Sequence, residues 1–403
     1  MLPTSSRSLG ALAVVLLQTA NTLAGSGVPC TTASTWAKQY MSLEMSHFYQ
    51  PYTTSGGCGC YYTTTQLWYE VTSLTGVVNY MMVTGDNQYK NHVLNHRYAF
   101  TNGNTNKLLT PSTFVNSHDD GLWTTLLYFK ISEWLEKMGT PDTRYWDAGV
   151  AILNWAGIGR TEVRSGSTSA CNGGVWWEAG ASKNTPYKNA VTNEQFIAAS
   201  ATVYLKTKNA TYLNDAVTAW NFLRDHMRRP SNYPTQPGLY SDGTRLPDCT
   251  NNGDQTWTYN QGVVLHALGL LYKATGNHTY VDEALVTLDA IIKSKLQNGV
   301  LAESCDLPNT TACDADQVGF KGLFMRHLQY FLELVNDPAI NSKYADWIGL
   351  QARAMNQYAR RADGMVSQLW WGTDNNRAIY PPSVNAFSSG VDAILTSIKF
   401  GNC

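Results

Sequence analysis

The sequence predicts one all-helical domain, a closed ring of six helical hairpins. Three observations carry that reading. Apolar residues recur at helical spacing in "LWTTLLYFKISEWLEKMG" (122–139), "VTNEQFIAASATVYLKTK" (191–208) and "QGVVLHALGLLYKATG" (261–276), whereas alternating strand patterns are scarce. Several such runs stop at Gly or a Gly/Asn turn, as helices do. A layout of helix end, polar turn, Tyr and new amphipathic run recurs at Tyr89, Tyr145, Tyr212, Tyr280 and Tyr344. These marks lie roughly 55 to 70 residues apart, the length of a helical hairpin with its loops. No Pro/Ser linker or charge run divides the 403 residues, so 25–403 read as one domain.

Residues 1–24 read as a secretory signal. Arg7 supplies the positive charge, "LGALAVVLL" (9–17) an apolar stretch too short to span a bilayer, and Thr22-Leu23-Ala24 the cleavage site. Eight cysteines, all after Ala24, and sequons at Asn209, Asn277 and Asn309 agree with export, disulfides and N-glycosylation. Cys305 and Cys313 flank a short polar loop and form the expected pair. Cys58 and Cys60 stand too close to bridge each other comfortably, so each is expected to bond elsewhere. No CxxC pair or cysteine–histidine cluster suggests zinc, and neither metal nor cofactor is called for. His92 and His96 have metal-ligand spacing but lack the Glu of HExxH, and read as an exposed helical face. The end, "GVDAILTSIKFGNC", lacks the apolar tail of a GPI signal. The expectation is a monomer, secreted, extracellular or wall-associated, without a membrane anchor.

Composition narrows function. The net charge is −1 and only 15% of residues are charged, against about 25% ordinarily, so no basic face for nucleic acid or anionic lipid is implied. Thirteen Trp and 23 Tyr supply rings with polar edges, suited to flat, hydroxylated ligands. A GxSxG elbow and a Walker motif are both missing.

"FVNSHDDGLW" (114–123) then stands out, because Asp119 and Asp120 sit side by side in a charge-poor chain. A solvated turn would hold two acids at little cost, whereas burial makes one keep its proton, which suits a general acid. On a helix, carboxyls of neighbouring residues diverge to roughly 5–7 Å, nearer the 5–5.5 Å of retaining glycosidases than the wider gap of inverting ones. His118 either bonds near the acids or is a turn histidine.

Four segments break the helical pattern: 169–189, 234–260, 302–322 and 366–375. Rich in Gly, Asn, Asp and paired Trp, they are expected to build a carbohydrate cleft at one end of the ring. Trp176, Trp177, Trp370 and Trp371 read as sugar-stacking rings or plain core. Asn193 and Glu194 open a helix as caps or supports. Tyr259 and Asn260, at a loop-to-helix junction, are placed to meet sugar hydroxyls. Asp314 and Asp316 lack the EF-hand pattern and read as a solvated loop.

"SHDDGLWTTLL", "GGVWWE", "YKNAVTNEQF", "TWTYNQGVVLHAL" and "GFKGLFMRHLQYF" occur in the order and at the spacings of glycoside hydrolase family 76, which the chain resembles over about residues 35–390. That family contains bacterial and fungal endo-α-1,6-mannanases, and fungal wall proteins that transfer the glycan of GPI-anchored proteins to wall polysaccharide. The resemblance implies an (α/α)6 barrel and a retaining attack on α-1,6-linked mannose in mannan or mannooligosaccharides. By it Asp119 is the nucleophile and Asp120 the general acid/base. Trp123 is followed by Thr124 where many members carry a second Trp, which bears on one sugar subsite. Three readings follow: a secreted endo-mannanase, a wall transglycosylase using the same intermediate, and an inactive carbohydrate-binding protein.

Overall fold

The computed structural model describes residues 28–61, 66–102, 105–114, 116–179, 186–372 and 381–402. The expected signal sequence lies outside them. The described residues hold twelve α-helices: α1 (Cys30–Phe48), α2 (Leu67–Thr84), α3 (Lys90–Leu94), α4 (His118–Lys137), α5 (Thr143–Ile158), α6 (Ala190–Thr207), α7 (Ala210–Met227), α8 (Thr258–Thr275), α9 (Thr279–Ser294), α10 (Phe320–Val335), α11 (Pro338–Ala354) and α12 (Val384–Phe400). Strands are confined to four antiparallel pairs of two residues each. The even-numbered helices form the inner ring, each packed on the next and α12 on α2, which closes it. The odd-numbered helices lie outside. The chain is thus six outer–inner hairpins.

Sequence explains the two layers. A helix apolar all round must be buried on every side, while one with a single apolar stripe faces solvent with the rest. The inner α12 is buried without a break from Val384 to Ser397. The outer α9 buries Tyr280, Val281, Ala284, Thr287, Leu288 and Ile291, one face only. Starts and stops are local: Asn209 and Asp337 cap α7 and α11 with their side chains, and Gly85 and Gly276 end α2 and α8 in the left-handed conformation.

The repeated tyrosines have a structural reason. Each marks an outer element and reaches back to the one before it. Tyr89 bonds Ser42 on α1. Tyr145 donates to the Ala99 carbonyl at 2.6 Å, Tyr212 to Asn154 on α5 at 2.9 Å, and Tyr344 to Asp289 on α9 at 2.7 Å. Tyr280 meets the Trp220 ring of α7 edge-on. Inside, Arg326 of α10 grips Asp392 of α12 at 2.7 and 2.8 Å and donates to the Thr72 carbonyl of α2 at 2.7 Å. There α10 and α12 approach so closely that a Cβ on Gly322 would lie 2.2 Å from the Ser389 Cα.

The expected Cys305–Cys313 bond is present, and Cys171 pairs with Cys249. Cys58 and Cys60, expected to bond elsewhere, are joined to each other. Gly59 between them adopts φ +61°, which reverses the chain and sets the two Cα atoms 5.3 Å apart, within bridging range. His96 also departs from expectation: it is fully buried, with Nε2 3.2 Å from Glu70, because the chain after α3 turns inward. Asn209, Asn277 and Asn309 are all exposed. Among the described residues no helix is long and apolar enough to cross a membrane.

Candidate active site

The start of α4 is held from outside the helix. Ser117, its N-cap residue, is extended (φ −144°, ψ 136°) and bridges to Glu178. The His118 N–H donates to the Trp177 carbonyl at 2.8 Å, His118 Nδ1 bonds the Trp176 carbonyl at 2.7 Å, and the Trp177 N–H donates to Tyr187 O at 2.8 Å. Burial pushes His118 below the usual imidazole range, so it works as a neutral Nδ1–H donor. These bonds lock segment 176–178 to the helix start.

Asp119 and Asp120 occupy the first turn of α4, where the helix dipole favours an anion. Asp119 Oδ1 accepts the Asp120 N–H at 3.1 Å, and Asp119 Oδ2 accepts the indole N–H of Trp177 at 3.1 Å. The Ser117 hydroxyl bonds both carboxylates. Burial, and then the like charge of the neighbouring acid, raise the pair, whose higher titration lies at about 7. Burial also raises Asp120, with Asp316 adding to it. Near neutral pH the pair therefore shares one proton and titrates as a unit.

The acids face a cleft of about 360 Å³. Trp177 and Tyr187 form one wall, in edge contact, and Tyr259 stacks on Phe320 (centroids 4.1 Å, 18°) in another; Trp68 and Trp123 complete the aromatic lining. Two further acids enter it. Asp242 accepts from Tyr187 Oη at 2.7 Å and from Asn260 Nδ2 at 3.5 Å, and Asp316 accepts from the Tyr69 hydroxyl. Burial raises both acids. Among the described residues the lining holds no Lys, Arg or His. A larger cavity, about 850 Å³, opens at the far end of the ring, among the C-terminal turns of the inner helices, and shares only Trp123 with the cleft.

Of the nine residues expected to bind sugar, Trp123, Trp177 and Tyr259 line this cleft. The other six stand away from it, most of them in the core or supporting places that the sequence also allowed. Trp176 is 1% exposed, donates to the Glu162 carbonyl at 2.8 Å and carries the Lys188 ammonium 4.3 Å from its ring centre. Trp370 and Trp371 are 0% and 7% exposed, and neither borders the cleft, so none of the three offers a face to a sugar. Asn193 clamps the Val175 backbone, accepting its N–H at 2.7 Å and donating to its carbonyl at 3.2 Å. Glu194 is fully buried, with its carboxyl held well above the usual range by burial and then by the charge of Asp242. Asn260 acts on Asp242. Thr124, in place of a second Trp, is buried and bonds back to the Asp120 carbonyl, so that position does not shape the cleft. Asp242, Tyr187 and Trp68 were not singled out by the sequence, and Asp316, read there as a solvated loop, is drawn in by Tyr69. Among the described residues one His/Cys/Asp/Glu group is tight enough for an ion, Cys305–Asp306–Cys313, but its cysteines are spent on their own disulfide.

Residues 33–395 match the profile of glycosyl hydrolase family 76. Among curated relatives, mannan endo-1,6-alpha-mannosidase DCW1 of Candida glabrata is 28% identical over 218 residues, 53% of this chain and 47% of that protein. Mannan endo-1,6-alpha-mannosidase DFG5 of Saccharomyces cerevisiae is 24% identical over 345 residues, 83% and 72% respectively. The chain thus spans about half of the first and under three-quarters of the second. Among solved structures, an inactive variant of the Salegentibacter sp. HEL1_6 alpha-1,6-mannanase GH76A, with two consecutive Asp changed to Asn and alpha-1,6-mannotriose bound, superposes with a TM-score of 0.70 at 17% identity, over 91% of this chain and 99% of that one. Dfg5 of Chaetomium thermophilum, in complex with glucosamine, gives 0.71 at 19% identity, over 92% and 90%.

Proposed function

The chain belongs to glycosyl hydrolase family 76, and from that premise we propose that it is a secreted, retaining endo-glycosidase cutting α-1,6-mannosidic linkages in mannan backbones. The observation that carries this reading is the adjacent, part-buried aspartate pair in the first turn of α4, facing an aromatic-walled acidic cleft. Asp119 attacks the anomeric carbon as the bond to O6 of the leaving mannose breaks, and Asp120 gives its proton to that oxygen. Asp120 then takes a proton from water, the water oxygen bonds the anomeric carbon, and Asp119 leaves. Two displacements restore the starting anomer. Trp177 and Tyr259 serve as ring platforms, and Asp242 and Asp316 as hydroxyl acceptors, along the glycan.

A second reading keeps the same intermediate but delivers the glycosyl group to a sugar hydroxyl. Four carboxyls, with no basic residue among the described residues of the cleft lining, favour a donor glycan that carries an amine, as a GPI-type glycan does. The two are separated by incubating wild type and Asp119→Asn with linear α-1,6-mannan. Short α-mannooligosaccharides of retained configuration from wild type alone are expected. Inverted first products would sink the covalent mechanism. Products formed only with a GPI-type donor and a glucan acceptor would favour transfer.

A further inference from the structure

We propose that Trp177 sets the division of labour within the aspartate pair: its indole N–H, on Asp119 Oδ2, keeps Asp119 as the anionic nucleophile and leaves the shared proton on Asp120. This rests on reading the pair as the reacting carboxylates. Two adjacent, part-buried acids are chemically alike, so something must tell them apart. The Ser117 hydroxyl reaches both and does not discriminate. N–H donors do: Asp119 takes one on each oxygen, from the Asp120 backbone and from Trp177, both at 3.1 Å. The backbone N–H is there whatever the sequence, so the indole is the side chain that discriminates. Hydrogen bonds to an ionised carboxylate are about twice as strong as neutral ones, so two such donors favour the charged form.

The surroundings leave this work to the indole. Among the described residues the titratable groups facing the pair are Asp242, Asp316, Tyr187 and Tyr259, with neutral His118 beneath, and none of the lining side chains is basic. Among the described residues no cation lines the cleft to select one acid over the other. The Trp177 backbone is bonded on both sides, to His118 N and Tyr187 O at 2.8 Å each, and its ring meets Tyr187 edge-on. When Asp119 leaves the anomeric carbon in the second displacement, the returning charge meets the same two donors. Trp177 is thereby a positioning residue as well as a ring wall.

Trp177→Phe separates the two roles, since it keeps a flat ring and loses the N–H. On linear α-1,6-mannan we expect kcat to fall roughly ten- to a hundredfold and the acidic limb of the pH profile to rise by about one unit, with KM little changed. A raised KM with an unmoved acidic limb would show a stacking ring only. A readout free of catalysis is a carboxyl 13C NMR titration of aspartate-labelled protein, assigned with Asp119→Asn and Asp120→Asn. Asp119 should titrate below Asp120 in wild type, and the order should converge or reverse in Trp177→Phe. Asp120 titrating first in wild type would overturn the proposal. If mannan is not cleaved but the titration order is as stated, the functional reading fails and this one stands.

Discussion

Lys188 shows how a single buried charge shapes the cleft from behind. It is 1% exposed, and among the described residues no carboxylate pairs with it. Its ammonium donates to the Cys171 carbonyl at 2.6 Å and to the Gly174 carbonyl, and lies between the rings of Trp176 and Phe222 (4.3 and 5.0 Å). Burial, and then the charge of Arg164, lower it to about 7. The residue thus ties down the loop that delivers Trp177. Lys188→Met would leave two carbonyls unpaired in the core, and at pH 6, where the amine is charged, we expect a loss of about 2–4 kcal/mol in denaturant unfolding. Unchanged stability would mean that those carbonyls find other partners.

At the scale of elements, the tyrosine staples predict a ranking. Tyr145 is fully buried and bonds a backbone carbonyl, whereas Tyr212 bonds Asn154 at the surface. Tyr145→Phe strands the buried Ala99 carbonyl and should cost about 1–2 kcal/mol; Tyr212→Phe leaves its partner to water and should cost under about 0.5. Equal losses in chemical denaturation would deny the burial argument. These tyrosines are also why the hairpin order was legible in the sequence: from α3 onward each outer element carries a tyrosine that reaches its predecessor, though by different contacts. The acid pair drew notice as adjacent Asp in so uncharged a chain, but its reading as catalytic came from the motifs around it and the family resemblance. The rest of the site was not. In an extended segment successive side chains point to opposite faces, so Trp176 and Trp177 cannot both enter the cleft, and which one does depends on the register with His118 and Tyr187. Asp242 and Asp316 carry no local pattern at all. Their place is made by Tyr187 and Tyr69, far away in sequence.

For the whole molecule, stability depends on the seam where the first and last helices meet. Glu44 of α1 is buried there and accepts Ser388 Oγ of α12 at 3.0 Å and Tyr61 Oη at 3.1 Å. Burial raises it from 4.5 to about 8, so the folded protein holds a proton that the unfolded chain releases near pH 4.5. A raised folded pKa means stability that is fully present below the unfolded value and is lost as pH climbs towards 8. Half-buried His266, lowered to about 3 by desolvation, acts in the opposite sense, as stability lost when pH falls below 6.5. The total curve mixes both, so the informative quantity is a difference. Glu44→Gln keeps the shape and an acceptor oxygen but cannot ionise. Its unfolding free energy relative to wild type should climb between pH 5 and pH 8, by on the order of a few kcal/mol, and level off above. Any constant offset from the new amide leaves that slope untouched. A flat difference across the same range would show that Glu44 is ionised in the folded ring, and that the seam is held by charge instead of by a neutral hydrogen bond.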